Sequence, residues 1–584
     1  MKIKNIIYTL AGVAALTLSS SCSGFLDTPT DTRVDIKTTE QVRMLMNAAY
    51  PSVAYSWPLE LMTDNLEDNN SPEGEGNQGV HYNLSSYDRG DEEMFRWEQC
   101  VSSTSSDTPS NLWEGYYNSI AYCNAALEIL DKWETENGKL DDTQKAIRAE
   151  AQILRAYNHF ILAQIFCMPY SGTAKNQTLL GIPYVTKPEV TVKPHYERGT
   201  LAETYAMIEK DLTEALPNIN NNIYEIQKYH FNTTAANAFA ARYYLFTRQY
   251  EKALEYANKV FGGPDMDPTP YMSDIWTQLE NFYYVSDIGL YQNAMDKQTN
   301  FLLMPVYSLM LRKYASGYRY GVVRDALNAT IHGSSPAWSS FQWTRSDGKG
   351  GSFTMHPCFN GICGSNGKPE YGYVMFGNVD EQFEYTDKIA GIGYPHHTRR
   401  EFYGEETLLV RAEAKLFLGD VQGCIDDLST WEKARRDCPG SVGLEDRFVD
   451  LTLENITTFY SSKAKYGIAK PINIDLVCPE SDAKVSVEAI MPVLQCVQHF
   501  RRIETIHLGF RFLDIKRYGI EIAHKIGNNV APMYHTMDYL TLDDPRRAVQ
   551  IPAEVVAAGM QPNVRKGDVN DTVQSPDELV LISE

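Results

Sequence analysis

Several stretches of this 584-residue chain place residue types where chemistry would need them, and each falls short of a working constellation. Gly361, Gly367 and Lys368 imitate a loop whose backbone N–H groups and lysine cradle phosphates, but the spacing is one residue too long. Pro369 also stands where a Ser or Thr would hold magnesium. His396 and His397 are adjacent, so on regular structure they point different ways and make a poor metal pair. The acidic run Asp64, Glu67, Asp68, Glu73 and Glu75 offers oxygen ligands for calcium but lacks EF-hand spacing, and reads as a solvated loop. Cys358 and Cys363, in HPCFNGIC, close a small disulfide ring or stay free; no second Cys/His pair stands at zinc-finger spacing. No His-Glu-x-x-His or Gly-x-Ser-x-Gly occurs, nor Gly-x-Gly-x-x-Gly after a strand pattern. Carboxylate pairs for glycoside hydrolysis stay open, because 75 acidic residues are present and only the fold sets their separation. No cofactor is implied.

The elements that would position any site read as helices on both sides of an irregular middle. From about 38 to 262 apolar residues recur at steps of three and four: Leu112, Tyr116, Ile120, Cys123, Leu127 and Leu130 form one stripe. Ile147, Ala151, Leu154, Ile161 and Ile165 form the next, ended by Pro169. Thr200 and Glu203 read as a capping box ahead of Leu201, Ile208, Leu212 and Leu216, and Pro217 stops that helix. Residues 235–264 read as two short helices. Their segment YLFTRQYEKALEYA (244–257) aligns with KLFLGDVQGCIDDL (415–428), placing Leu245 on Leu416, Phe246 on Phe417 and Leu254 on Ile425, which predicts a repeated helical hairpin. Between 263 and 403 periodicity is lost and Gly, Tyr, Trp, Phe and Asn accumulate in YGYVMFGNV, SSPAWSSFQW and GIGYPHH; an ordered, loop-rich insertion is expected. Trp57, Trp113, Trp133 and Trp431 lie in or beside helical patterns and are expected in the core, as are Cys123, Cys167 and Cys424.

The first residues carry export information. Lys2 and Lys4 precede an apolar run from Ile6 to Leu18, then Ser19-Ser20-Ser21 and Cys22. As a helix that run rises only about 20 Å, short of the roughly 30 Å hydrocarbon core. Cys22 behind small residues resembles a bacterial lipoprotein cleavage site, with ordinary cleavage after Ser21 as the alternative. A net charge of −22 argues against nucleic acid as a partner. The organisation expected is a leader over 1–21, a helical region over 22–262, the insertion over 263–403 and a second helical region over 404–584.

In order along the chain, CSGFLD, EAQILRAYNHFILAQIF, GIPYV, ETYAMIEKDLTEALPNI, AANAFAARYYLFTRQYEKAL, EETLLVRAEAKLFLG, GFRFLDIKRYG and IPAEVV resemble the SusD/RagB family of outer-membrane nutrient-binding lipoproteins. The resemblance implies an all-α fold, a right-handed superhelix of tetratricopeptide-like helix pairs bearing a loop-rich ligand region. It further implies a cell-surface protein, lipid-anchored at Cys22, that binds glycan and serves a SusC-like TonB-dependent transporter, rather than an enzyme; a peptide ligand, as in the RagB branch, or a surface glycosidase is the alternative. His507-Leu508-Gly509 ahead of Phe510-Arg511, and MQPNVR near the end, depart from the family pattern. Arg511, Asp514 and Arg517 are expected to be structural, sharing a helix face. The family's ligand surface falls here on Tyr82, Tyr87, Arg89 and Trp97 and on Tyr291, Tyr318, Trp338, Phe341 and Trp343, with 338–343 as the platform. Flat aromatic rings cover the apolar faces of pyranoses while neighbouring polar groups bond their hydroxyls.

Overall fold

The computed structural model describes residues 36–68, 88–101, 106–189, 195–278, 285–314, 319–322, 330, 333–339, 343–346, 352–355, 361–364, 373–376, 378–436, 447–461, 468–473, 476, 486–526 and 535–565. The chain divides into two units, Met1–Met44 and Leu45–Glu584. In the first, the described residues open a helix in which Arg43 pairs with Glu40 at 2.9 Å. The second is mainly helical and carries everything that follows.

Several of its long helices begin where side chains cover backbone donors. Helix α1 spans Ser56–Glu60. Helix α2 (Pro109–Asn137) follows Thr108, whose hydroxyl accepts from the N–H of Asn111, and ends at Gly138 with φ 76°. The six residues of the expected stripe are all buried. Helix α3 (Asp142–Phe166) starts with a capping box between Asp141 and Gln144 and ends at Phe166, with Cys167 as its C-cap ahead of Met168 and Pro169. Helix α4 (Leu201–Ala215) has the Thr200–Glu203 box: the Glu203 N–H donates to Thr200 Oγ1 at 3.1 Å, and the Thr200 N–H to Glu203 Oε2 at 2.8 Å. Thr200→Ala is expected to lower stability by about 1 kcal/mol, read as a shift of the denaturation midpoint.

The hairpin repeat is present. Helices α5 (Thr233–Phe246) and α6 (Tyr250–Phe261) pair, as do α7 (Gly404–Phe417) and α8 (Val421–Lys433), and α7 packs on both α5 and α6. Each pair turns through three residues whose middle one is left-handed: Arg248 at φ 63° in the first, Gly419 at φ 91° in the second. Glycine takes this conformation without steric cost. Arg248 is held in it while its guanidinium donates to the carbonyls of Tyr170 and Leu476. Helices α9 (Val487–Glu504) and α10 (Phe510–Tyr518) complete the helical body.

Buried arginines tie these helices together. Arg242 of α5 binds Glu401 at 2.7 Å and Glu406 of α7 at 3.2 Å. Arg501 of α9 pairs with Asp514 of α10 at 3.1 Å, and Arg517 with Asp514 at 3.0 Å and with Glu413 of α7. The helix-face pairing expected of Arg511, Asp514 and Arg517 therefore holds between the last two only. Arg511 reaches instead to Asp64 at 2.8 Å.

The middle of the chain is richer in strands than its lost periodicity suggested. Strand β1 (Glu67–Asp68) joins a sheet of order β11-β10-β1-β3, where β3 is Tyr320–Gly321, β10 Ile522–Ile526 and β11 His535–Leu540. Strand β2 is Asn300–Tyr307. Strands β4 (Trp343–Ser346), β5 (Ser352–Met355), β6 (Gly361–Gly364) and β7 (Tyr373–Phe376) form an antiparallel sheet. A third sheet has the order β2-β9-β8, all antiparallel, with β8 at Gln382–Asp387 and β9 at Ile392–Tyr403. Strand β9 runs without a break into α7.

Trp57, Trp113 and Trp431 lie in the core and Trp133 is half-buried. Cys123, Cys167 and Cys424 are buried free thiols. The acidic run is corrected where it is described: Glu67 and Asp68 are buried and Asp64 is half-buried with its carboxylate enclosed, because β1 lies inside its sheet and arginines reach the Asp64 and Asp68 carboxylates. Glu73, Glu75, Cys22, Cys358 and the loop at Gly367–Pro369 lie outside the described residues, as does the side chain of Cys363.

Candidate functional site

Strand β9 has two halves with different surroundings. His397–Tyr403 are buried against the helices, and on its other end Ile392–His396 are half-buried or exposed beside β8, every residue of which is exposed. The β8–β9 hairpin thus projects from a braced root. At that root Asp380 accepts hydrogen bonds from the Thr398 N–H at 3.0 Å and the Asn293 side chain at 3.2 Å; burial raises its carboxyl above the usual range. Burial, with the Arg399 charge beside it, pushes the His397 imidazole down to about 3, so it stays neutral and does not serve as a cation. Arg399 pairs with Glu401 at 2.7 Å and lies 3.8 Å from the Tyr55 ring centre. Arg312 clamps Glu381 through both nitrogens, at 2.8–3.0 Å. At the tip Asp387 Oδ1 accepts from the N–H groups of Ile389 and Ala390, and Gly391 takes φ 68°.

On this frame sit four open aromatic rings. Tyr394 is 57% exposed, Tyr385 51%, Phe383 39% and Tyr307 38%. Directly paired residues of an antiparallel ladder share a face. Glu384 pairs with Tyr394, and His396 pairs with both Gln382 and Tyr307, so Tyr307, Tyr394, Glu384 and His396 lie together on one side. The Tyr307 and Tyr394 rings meet at 68° with centres 5.9 Å apart, forming a corner. The Tyr307 hydroxyl donates to Glu384 Oε2 at 3.4 Å, and partial burial together with that carboxylate raises its pKa. His396 Nδ1 is itself buried, with no hydrogen-bond partner among the described residues, so a ligand hydroxyl would meet the other side of the imidazole. Apolar ring faces beside a carboxylate and an imidazole can cover one face of a sugar ring and bond its hydroxyls.

The residues singled out from sequence fare differently. Trp338 is 3% exposed: the strand-like pairing of Trp338 with Phe448 draws it over Phe500, on which it stacks at 5.5 Å, and its Nε1 donates to the Gly333 carbonyl at 3.2 Å. It is a core residue, not an open platform. Trp97 is 2% exposed, stacked on His524 at 3.9 Å, with Nε1 donating to the Met62 carbonyl. Burial of these two follows from the large apolar area of indole, which gains most from leaving water. Arg89 is exposed and pairs with Glu93 at 2.8 Å. Tyr291 is half-buried, its hydroxyl donating to Asp274 and the Lys297 ammonium 3.3 Å from its ring centre. Tyr82, Tyr87, Tyr318 and Phe341, and the Trp343 side chain, lie outside the described residues. The signal for the rings that are open was the alternation Phe383-x-Tyr385 and Tyr394-x-His396 on either side of a Gly-containing turn, a hairpin pattern within a stretch read as irregular.

Two cavities are lined by described residues. One of about 590 Å³ is lined by Leu179, Leu180, Leu542 and Val564 together with Glu521 and Asp543. The other, about 280 Å³, lies between the Trp113–Tyr117 face of α2 and Pro183, Val185, Glu189, His195 and Tyr196. Among the described residues no cluster of three or more His, Cys, Asp or Glu side chains is placed to hold a metal, and no helix is long and apolar enough to cross a membrane.

Residues 24–245 match the family model SusD-like_3, described as "Starch-binding associating with outer membrane". No curated protein sequence matches the chain. Among solved structures, a SusD superfamily protein from Bacteroides thetaiotaomicron is similar at 16% identity and TM-score 0.55, covering 91% of this chain and 100% of its own. One from Bacteroides fragilis matches at 16% and 0.54, covering 92% and 100%. A SusD-like carbohydrate binding protein from Bacteroides vulgatus matches at 16% and 0.51, covering 90% and 97%. At such identities the structural likeness speaks for the fold.

Proposed function

Starting from a chain that belongs to the SusD/RagB family, we propose that this protein is a surface carbohydrate-binding protein, not an enzyme, that seats glycan on the Tyr307–Tyr394 corner of its β8–β9 hairpin. The single observation that carries the site is this open, right-angled ring pair beside Glu384 on a hairpin whose root is locked into the core. Monomeric proteins gain nothing in stability from holding large rings in water, whereas a saccharide covers them. The family description, with its starch binding and outer-membrane association, supports the ligand class and the location. The finer picture has the chain anchored by lipid at Cys22, exposed on the outer face of the outer membrane, and passing glycan to a SusC-like TonB-dependent transporter.

Isothermal titration tests the reading, with malto-, cello- and xylo-oligosaccharides, polygalacturonate and a peptide mixture as titrants. A neutral oligosaccharide is expected to bind without being hydrolysed. Tyr394→Ala and Tyr307→Ala are each expected to weaken it by about 1–2 kcal/mol, roughly 5- to 30-fold, with unchanged melting. A response to peptides alone, or an affinity untouched by both substitutions, would sink the site.

A further inference from the structure

We propose that the β8–β9 hairpin is a two-sided platform, and that its reverse face, built on Phe383 and Tyr385, is a second and weaker saccharide-stacking site. One protein would then hold two segments of a neutral glycan at once. The inference rests on the glycan reading of the front face.

The register decides which rings belong to which side. Phe383 pairs with Pro395 and Tyr385 with Gly393, one step out of phase with Glu384 and Tyr394, so these four residues face away from the Tyr307–Tyr394 corner. A hairpin lying on the protein would bury one of its faces. Here all six residues of β8 are exposed, and Phe383 and Tyr385 show 39% and 51% of their surface. Their rings meet at 70° with centres 4.9 Å apart, the same kind of corner as on the front.

Gly393 shapes the reverse face. A Cβ there would come within 2.0 Å of the Glu384 carbonyl oxygen and 2.7 Å of Phe383 Cε1, so glycine is needed first for the approach of the paired backbone and also leaves room for the Phe383 ring to lean across the neighbouring strand. The result is a shelf of Phe383, Gly393 and the Pro395 ring with Tyr385 as its upright. A two-stranded ribbon exposed on both sides buries too little to stabilise itself, and apolar rings on both sides add nothing to its solubility. Occupancy by ligand accounts for them on the second side as on the first, and one continuous hairpin joins the two.

Chemistry ranks the faces. The front has the Glu384 carboxylate and the His396 imidazole to bond hydroxyls; on the reverse the Tyr385 hydroxyl is the one polar side-chain group among the four paired residues. Stacking without directed hydrogen bonds gives weaker, less selective binding. Glu381, Glu384 and Asp387 outnumber Lys388 along the hairpin, which disfavours uronates and sulfated sugars on either side.

The test titrates the full-length mature protein with trimers and heptamers of the malto, cello and xylo series. The trimer that responds is expected to fill two sites of unequal affinity. Tyr394→Ala removes the tighter one, and the double variant Phe383→Ala/Tyr385→Ala, or Tyr385→Ser alone, removes the weaker. The heptamer binds more tightly than the trimer through its high local concentration at the second face, and loses that advantage in either variant. A single site lost in Tyr394→Ala and indifferent to Phe383→Ala/Tyr385→Ala would overturn the second face and leave the first standing. Silence toward every glycan would overturn both.

Discussion

Asp64→Ala is expected to lower the unfolding free energy by about 3–5 kcal/mol, because it leaves two buried arginines and the half-buried Lys470 without their anion. Asp64 receives Arg511 through Nε and Nη2 at 2.8 and 2.9 Å, Lys470 at 2.6 Å and Arg502 at 3.5 Å. Burial by itself would raise the Asp64 carboxyl; Arg502, Arg511 and Lys470 overcome it and hold the group well below the carboxylate range. Lys470 is already pushed down to about 8 by burial despite the Asp64 charge. A depressed folded pKa means that this contribution is present above the unfolded value of about 3.9 and is lost as pH falls through the folded value. The gap between wild type and variant, measured by chemical denaturation at a series of pH values, should therefore be full at pH 7 and close in the acid range below about pH 4. A gap under about 1 kcal/mol at pH 7 would show that water reaches the cluster.

Arg242→Met should cost a similar amount, again about 3–5 kcal/mol, for the opposite reason: two carboxylates lose their cation. Arg242 donates to Glu401 Oε1 and to the Glu401 carbonyl at 2.7 and 2.6 Å and to both oxygens of Glu406 at 3.2 Å, while its guanidinium lies over Phe402 and Phe510. Glu401 keeps Arg399, but among the described residues Glu406 keeps only Arg501, at 3.9 Å. Removing the orphaned charge should then relieve the loss, so Arg242→Met/Glu406→Gln is expected to be more stable than Arg242→Met alone. A double-mutant cycle in denaturant measures that coupling, and simple additivity would refute it. The hairpin rings lie beyond this cluster on β9, so a stable fraction of the variant should keep its affinity for glycan.

Residue order alone determined the helical framework of this protein. The Thr200–Glu203 and Asp141–Gln144 caps and the apolar stripe from Leu112 to Leu130 act within a few residues, where propensity and capping are strong. The same local logic set the helical hairpin repeated from 244 at 415, down to a left-handed turn residue at Arg248 and Gly419. Placement of the site was decided only by the tertiary structure. Trp338 looked as suitable a platform as any ring in the chain, until its pairing with Phe448 carried it into the core. Asp64 looked solvated until Arg511, 447 positions away, came to lie beside it. Tyr307 and Tyr394 form a corner because β2 pairs with β9 in one register, and a slip of one residue would turn Tyr394 to the other side. Exposure and ion pairing depend on contacts between remote segments, and no pattern confined to one segment encodes them.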